Sequence, residues 1–212
     1  RGIVLTNAHV AQYFLLKDYP TTGSTDCVIR TGSPARATYS AELLFISERW
    51  VREHASGLRI EIPRGTGEHD VALVRIIGVL SESTAPQDLT LPYLAADTME
   101  SGISRGDRVT LASYPAGLIE GISVQKELYL TSTIASVTDL LTFGTDTLDA
   151  LLFNGSIVSQ EGSSGGAVVS LESGGLVGII TATGAGETTS ERDTHAITLS
   201  HASRTILEET GD

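Results

Sequence analysis

The sequence of 212 residues contains one cysteine, Cys27, so no disulfide can form within the chain. No apolar run approaches the roughly 18 residues that a membrane-spanning helix needs. Lysine and arginine number 14 against 26 aspartates and glutamates, which gives a formal net charge of −12. Because nucleic-acid binding needs clustered positive charge, this balance argues against a nucleic-acid partner. These absences indicate a globular protein that is stabilised by its core and not by disulfides.

Nothing in the sequence predicts a bound cofactor or metal ion. It contains no phosphate-binding loop and no dinucleotide fingerprint. His54, His195 and His201 have no partners at the spacings typical of metal ligands. Cys27 precedes Val28 and is predicted to be a small core residue.

Short apolar or alternating segments, separated by turn residues, recur along the chain. This pattern favours an all-β barrel or sandwich over a fold with alternating strands and helices. A helical turn is predicted over residues 11–17, and Ser200 is predicted to cap a short terminal helix. The predicted strands cover residues 2–5, 26–30, 38–46, 58–62, 71–79, 107–113, 128–137, 148–153, 167–169, 176–182 and 195–199.

Three short stretches carry residues with complementary chemistry. Residues 162–166 read Gly-Ser-Ser-Gly-Gly, which places Ser164 on a tight turn. A serine hydroxyl is a weak nucleophile unless a base takes its proton, and an imidazole does this well near neutral pH. His9 supplies a candidate base, and Asp70 supplies a carboxylate that could orient it. The three residues follow one another in the order His, Asp, Ser.

These stretches resemble the signature segments of the trypsin-like (chymotrypsin-fold) serine proteases. Residues 6–10, Thr-Asn-Ala-His-Val, resemble the T-N-x-H-V segment of the bacterial HtrA/Deg branch. Residues 70–73 resemble the family's D-[IV]-A-L, and residues 162–166 resemble its G-[DN]-S-G-G. The spacing from Ser164 back to Asp70 is typical of the family. The spacing from Asp70 back to His9 is longer and implies an insertion.

The resemblance implies an all-β fold of two six-stranded antiparallel barrels and a short C-terminal helix. Residues 1–92 would form the barrel that carries His9 and Asp70, and residues 93–212 the barrel that carries Ser164. A polar connector over residues 81–92 would join them. Since the family places strands before this histidine, the chain is expected to begin inside its first barrel. The insertion falls at residues 48–67 and is expected to be a solvated surface excursion.

The activity implied is that of a serine endopeptidase acting on proteins or peptides through an acyl-enzyme. His9, Asp70 and Ser164 would be catalytic, and the N–H groups of Gly162 and Ser164 would form the oxyanion hole.

Substrate would pair with the strand that carries Thr181, Ala182 and Thr183. Val158 would lie at the base of an apolar pocket of modest size, with the opposite wall near His195. Glu161 could admit a basic residue if its carboxylate turned inward.

The resemblance also favours an extracytoplasmic location and allows a homo-oligomer. Activation by a new N-terminal amine is not expected, because trypsin-type zymogens receive it on an aspartate and this sequence has Ser163 there.

Two alternatives stay open at this level. Residues 162–166 also fit the G-x-S-x-G elbow of α/β-hydrolases, with Asp193 and His195 following in the order of that fold. That elbow needs a helix directly after the serine, whereas residues 167–169 favour a strand. The second alternative is a catalytically silent binding module with a protease fold, since the presence of three residues does not establish their geometry.

Overall fold

The computed structural model describes residues 2–54, 66–86, 91–116, 128–144 and 146–211. The predicted strand over 58–62 lies outside the described residues, as do parts of the predicted insertion and connector. In the described part of the chain, no helix combines the length and apolar character needed to span a membrane.

The first half of the chain forms a four-stranded antiparallel sheet in the order β1-β4-β3-β2. Its strands are β1 (Ile3–Thr6), β2 (Val28–Thr31), β3 (Arg36–Ile46) and β4 (Ala72–Val79). Helix α1 (Ala8–Ala11) and a 3-10 helix (Gln12–Leu16) follow β1, and α2 (Glu48–His54) follows β3. Apolar side chains of this sheet pack around Ala11, Ala72 and Val74.

The second half forms a closed barrel in the strand order β10-β7-β6-β5-β8-β9. A 3-10 helix (Glu100–Gly102) precedes it, and α3 (Leu199–Thr210) follows it. Its core is built from alternating inward residues, as Val109 and Leu111 of β5 illustrate. The strands are β5 (Arg108–Ser113), β6 (Thr131–Leu141), β7 (Ala150–Phe153), β8 (Ala167–Ser170), β9 (Leu176–Thr183) and β10 (Thr194–Thr198).

A separate apolar cluster joins the sheet to the barrel. Val71, which directly precedes β4, packs with Ile179 of β9, Ile197 of β10 and Ala202 of α3. All four are at most 2% exposed. Burial of each of the three larger side chains, those of Val71, Ile179 and Ile197, contributes roughly 1.5–3 kcal/mol to the free energy of folding. This cluster fixes the loop before β4 against the barrel.

The predicted chymotrypsin-like, all-β fold is confirmed, with one closed six-stranded barrel and, among the described residues, a four-stranded sheet in place of the other predicted six-stranded barrel. Two local features also differ from the prediction. The helical segment after β1 begins at Ala8 and includes His9, earlier than predicted. The cap of the terminal helix is Thr198, whose hydroxyl accepts the His201 N–H at 3.1 Å, so the predicted cap at Ser200 is wrong. As predicted, the residues after the serine turn continue as strand β8 and not as a helix, which excludes the α/β-hydrolase alternative. The division at residue 92 stays a prediction.

A buried polar network joins α3 to the barrel. Asp149 accepts hydrogen bonds from the Phe143 N–H at 2.8 Å and from Arg204 at 2.5 Å, and it lies 3.1 Å from Nδ1 of His201. Burial would raise the pKa of Asp149, but the Phe143 N–H, the Thr147 hydroxyl and His201 lower it below its usual value.

His201 is expected to make the protein less stable in mild acid. Burial lowers the pKa of His201 below its usual 6.5, with smaller lowering from Arg204 and His69 and opposition from Asp149. His201 is therefore protonated more readily in the unfolded chain than in the folded chain. The free energy of unfolding should fall by up to about 1.4 kcal/mol per pH unit as pH drops below 6.5. Urea unfolding between pH 5 and 7.5 measures this slope. His201→Gln should flatten it, and an unchanged slope in that variant would contradict the assignment.

Candidate active site

His9 is held by the first turn of α1. Asn7 occupies the N-cap position, yet its side chain does not cap the helix. Its amide instead donates to the Asp70 carbonyl at 3.2 Å and to the Thr181 hydroxyl at 3.0 Å. Asn7 is fully buried and thereby ties the start of α1 to both the Asp70 loop and the barrel.

Asp70 binds the histidine through both carboxylate oxygens. Oδ2 lies 2.7 Å from Nδ1 of His9, and Oδ1 accepts the His9 backbone N–H at 2.9 Å. The Thr181 hydroxyl donates to Oδ2 at 2.9 Å. Asp70 is only 5% exposed, so these charge-assisted hydrogen bonds are shielded from water. An imidazole bound in this way carries its proton on Nδ1 and presents Nε2 as an acceptor.

The loop before Asp70 turns sharply to deliver its carboxylate. Gly67 has φ 86° and His69 has φ 60°, a value rarely adopted by residues other than glycine. The Asp70 N–H donates to the Gly67 carbonyl at 3.1 Å, and the Val71 N–H donates to the His69 carbonyl at 2.8 Å. Two tight turns in succession therefore bring the Asp70 carboxylate within hydrogen-bond distance of the His9 ring.

Ser164 lies on a turn fastened to the barrel. Gly162 and Gly165 have φ of 85° and 79°, the left-handed region that glycine adopts without strain. The Gly165 N–H donates to the Ile180 carbonyl, and the Ile180 N–H donates to the Gly166 carbonyl, both at 2.8 Å. The turn thus continues the β8–β9 ladder, and its position is fixed by the barrel.

The same turn leaves two backbone donors free. Within the described part of the chain, the N–H groups of Gly162 and Ser164 have no hydrogen-bond acceptor. The intervening Ser163 N–H donates to the Gln160 carbonyl at 3.2 Å. Unpaired N–H groups beside a serine hydroxyl are suited to bind a developing oxyanion.

Gly162→Ala should cost more stability than the same change at another left-handed glycine. A Cβ at Gly162 would lie 2.8 Å from Ala116 Cβ and 2.9 Å from its backbone nitrogen. Gly174 has φ 70°, and no atom of the other described residues outside its chain neighbours lies within 4 Å of such a Cβ, so Gly174→Ala is the matched control. We expect a loss of about 1–2 kcal/mol in the control from the unfavourable φ. A further loss of about 1–3 kcal/mol is expected at Gly162 from the contact. Urea unfolding measures both, and equal losses would contradict the close approach to Ala116.

Ser164 and His9 open on one cleft of about 720 Å³, which Asp70 and Gly162 also line. The Ser164 hydroxyl is 3.5 Å from the Thr181 carbonyl, and no hydrogen bond joins it to His9 among the contacts of the described residues. The structure thus brings the predicted catalytic residues to one cavity, with the hydroxyl turned toward β9.

The predicted substrate strand also borders this cleft, which is lined by Thr181, Ala182 and Thr183. Pairing of β9 with β8 and the serine turn ends at Ile180, whereas pairing with β10 continues to Thr183. The end of β9 therefore has a partner strand on one side and the cleft on the other. An extended peptide could add there as a further strand.

Val158 does not reach the cleft. It is fully buried in the barrel core with Leu111, Phe153 and Val168, and it is not among the cleft-lining residues. A branched apolar side chain loses more water-accessible surface in this core than beside an open pocket, so burial in the core stabilises the fold more. His195, expected near the opposite wall, does not line the cleft either. Beyond β9, the lining residues include Gly184, Ala185, Gly186 and Arg192, and Glu161 lines the same cleft.

The start of the predicted insertion forms part of the site, contrary to the expected solvated excursion. Trp50 of α2 is 7% exposed, and His54 stacks on it with ring centroids 4.7 Å apart. Both line the cleft. Glu209 of α3 fixes the helix start by accepting the Ser47 hydroxyl and the Glu48 N–H, each at 2.7 Å. Ser47 and Glu209 are far apart in sequence, so no local pattern indicates this contact.

The described residues contain no group of three or more His, Cys, Asp or Glu side chains arranged to hold a metal ion.

Several solved protease structures share this fold. Among solved structures, the chain is 18% identical to the Rv3671c protease in its inactive form, with a TM-score of 0.55, covering 98% of this chain and 79% of that one. It is 22% identical to the HtrA-type protease AlgW with tripeptide, with a TM-score of 0.57, covering 100% of this chain and 54% of that one. It is 17% identical to kallikrein-related peptidase 10, with a TM-score of 0.52, covering 98% and 84% of the two chains.

At these identities the likeness establishes the shared fold, and the chain spans only about half of the AlgW chain. No curated protein sequence matches. The model of the trypsin-like peptidase domain matches residues 1–179, which is most of the sequence. The chain therefore belongs to the trypsin-like peptidase family.

Proposed function

We propose that this protein is a serine endopeptidase that cleaves peptide bonds by a Ser-His-Asp mechanism. The observation that carries the proposal is the two-point attachment of His9 to Asp70, at 2.7 and 2.9 Å, in the cleft that Ser164 lines. A histidine oriented in this way through Nδ1 is prepared to act as a general base through Nε2.

In the acylation step, Ser164 Oγ leaves the Thr181 carbonyl and reaches Nε2 of His9. Hydrogen bonds of this kind often tighten only when substrate is bound. Oγ attacks the scissile carbonyl as its proton passes to Nε2, and Asp70 stabilises the imidazolium. The C–N bond then breaks, and the imidazolium gives its proton to the departing amine. Water, activated by the same imidazole, hydrolyses the resulting ester and restores the hydroxyl.

The free N–H groups of Gly162 and Ser164 serve as the oxyanion hole. They are donors without competing acceptors in the described part of the chain, on a turn held by the barrel. Such preorganised donors need no rearrangement at the moment of reaction. Each typically contributes roughly 100- to 1,000-fold in rate.

Activation by a buried N-terminal amine is not part of the proposed mechanism. Ser163 is 1% exposed, and its hydroxyl accepts a hydrogen bond from the Ser113 hydroxyl at 3.0 Å. In the described part of the chain, this position holds a pair of neutral hydroxyls with no carboxylate to receive an ammonium group. A buried ammonium without a carboxylate partner would be strongly destabilising.

Labelling with a fluorophosphonate tests the proposal, because only an activated serine reacts. Mass spectrometry of the digested adduct should place the label on Ser164. Ser164→Ala should remain unlabelled, whereas Ser173→Ala, which removes a hydroxyl in the turn after β8, should label normally. A folded protein that stays unlabelled would overturn the proposal and favour the silent binding module.

A further inference from the structure

Arg192 is a positively charged residue that the proposed mechanism does not use. It lies in the loop between β9 and β10 and lines the cleft. Its Nε donates to the Gly186 carbonyl at 2.8 Å, which fixes the side chain against the loop. A Cβ on Gly186 would come within 3.1 Å of Arg192 Cγ, so the glycine permits this close packing.

Among the described residues, no carboxylate lies within ion-pair distance of Arg192. The neighbouring Glu191 turns back to accept the Thr188 N–H at 3.0 Å. Glu161 lines the same cleft but does not pair with Arg192. By contrast, Arg49, Arg52, Arg75 and Arg204 each have a carboxylate partner.

The hydrogen bond to Gly186 uses only one nitrogen of the Arg192 guanidinium. Nε is occupied by Gly186, while the two terminal nitrogens have no acceptor in the described part of the chain. Those nitrogens form the fork that binds a carboxylate through two parallel hydrogen bonds. A fixed fork loses little side-chain entropy when it binds such a ligand.

The position of the loop indicates which part of a substrate would meet this fork. The loop begins directly after Thr183, at the end of the strand to which substrate is proposed to add. The residues on the amino-terminal side of the scissile bond would follow that strand and pass the loop. We infer that Arg192 binds an acidic side chain in this part of the substrate, an inference that rests on the proposed function.

The test compares the cleavage rates of two peptide pools. In the acidic pool, the four positions before the scissile bond carry Asp or Glu, and in the other pool they carry the isosteric Asn or Gln. Wild-type protein should cleave the acidic pool roughly 10- to 100-fold faster, the range expected for one charged hydrogen-bonded contact. Because the cleft is open to solvent, added salt should reduce this ratio.

Arg192→Gln should bring the ratio close to one, and Arg192→Glu should shift preference toward Lys and Arg. Arg105→Gln, which removes an exposed charge outside the cleft, is the matched control and should keep the wild-type ratio. Arg192→Lys, which keeps the charge without the fork, should give an intermediate ratio.

Fluorophosphonate labelling of Ser164 in every variant separates the two proposals. Equal cleavage of both pools by a wild-type protein that labels normally overturns the role of Arg192 and leaves the proposed function standing. An Arg192→Gln protein that labels normally and keeps the acidic preference also overturns the role of Arg192 and leaves the proposed function standing. A wild-type protein that neither labels nor cleaves overturns both.

Discussion

Ser164→Ala should lower the rate of peptide cleavage by about a million-fold while leaving the fold intact. Removing the nucleophile of a catalytic triad typically costs this much in kcat, because the remaining groups cannot form the acyl-enzyme. The hydroxyl makes one long contact, 3.5 Å to the Thr181 carbonyl, so the folded state loses little with it. The positive φ values of the turn belong to its glycines, which the substitution leaves in place.

Steady-state hydrolysis of a fluorogenic peptide measures the effect, with thermal unfolding run in parallel. Ser173→Ala should keep wild-type activity. A Ser164→Ala protein that cleaves at more than about a thousandth of the wild-type rate would show that another residue is the nucleophile. The residual rate expected from the oxyanion hole and binding alone is far smaller.

Asp70→Asn should lower kcat by about ten thousand-fold, through the tautomer of His9. The His9 backbone N–H donates to Oδ1, so the amide oxygen should take that place and the NH₂ group should take the place of Oδ2. The NH₂ group then faces Nδ1, which lies 2.7 Å from Oδ2 in the wild type. An imidazole that accepts at Nδ1 carries its proton on Nε2, where it cannot receive the serine proton.

The effect should fall on kcat and not on KM, since Asp70 does not contact substrate in the proposed mechanism. Fluorophosphonate labelling should slow in the same proportion as hydrolysis. Asp139→Asn, which neutralises an exposed carboxylate on β6, is the control and should leave both rates unchanged. A rise in KM at constant kcat would assign Asp70 to binding and contradict this account.

The sequence predicts those features of the fold and the site that depend on a local residue pattern or on the chemistry of individual side chains. The barrel strands are predictable to within a few residues because inward positions alternate with outward ones, as in β5, or because apolar residues form a short buried run, as in β9. The stretches that carry His9, Asp70 and Ser164 were found from residue type and order, and the structure brings all three to one cleft. Their catalytic roles stay predictions until labelling is done.

The contacts that complete the site depend on tertiary pairing, which a single sequence does not reveal. Asn7 has the form of a helix cap, yet its amide reaches Thr181 across the molecule. Thr181 was identified for its backbone, whereas its hydroxyl donates to Asp70. The family resemblance implies a chain position for Val158, but it does not fix the direction of the side chain, which points into the barrel core. Thr198 and Ser200 are both good caps, and only the path of the chain leaving β10 selects the first.

The apolar cluster that joins the sheet to the barrel has a consequence for how activity is lost. Val71 directly follows Asp70 and packs on Ile179 and Ile197 of the barrel that carries Ser164. The proposed catalytic geometry therefore depends on a small interface between the two halves, and opening this interface breaks fewer contacts than unfolding the barrel core. Heat should inactivate the enzyme by parting this interface before it melts the barrel. The inactivated form would keep an intact serine turn and recover on cooling without refolding the barrel.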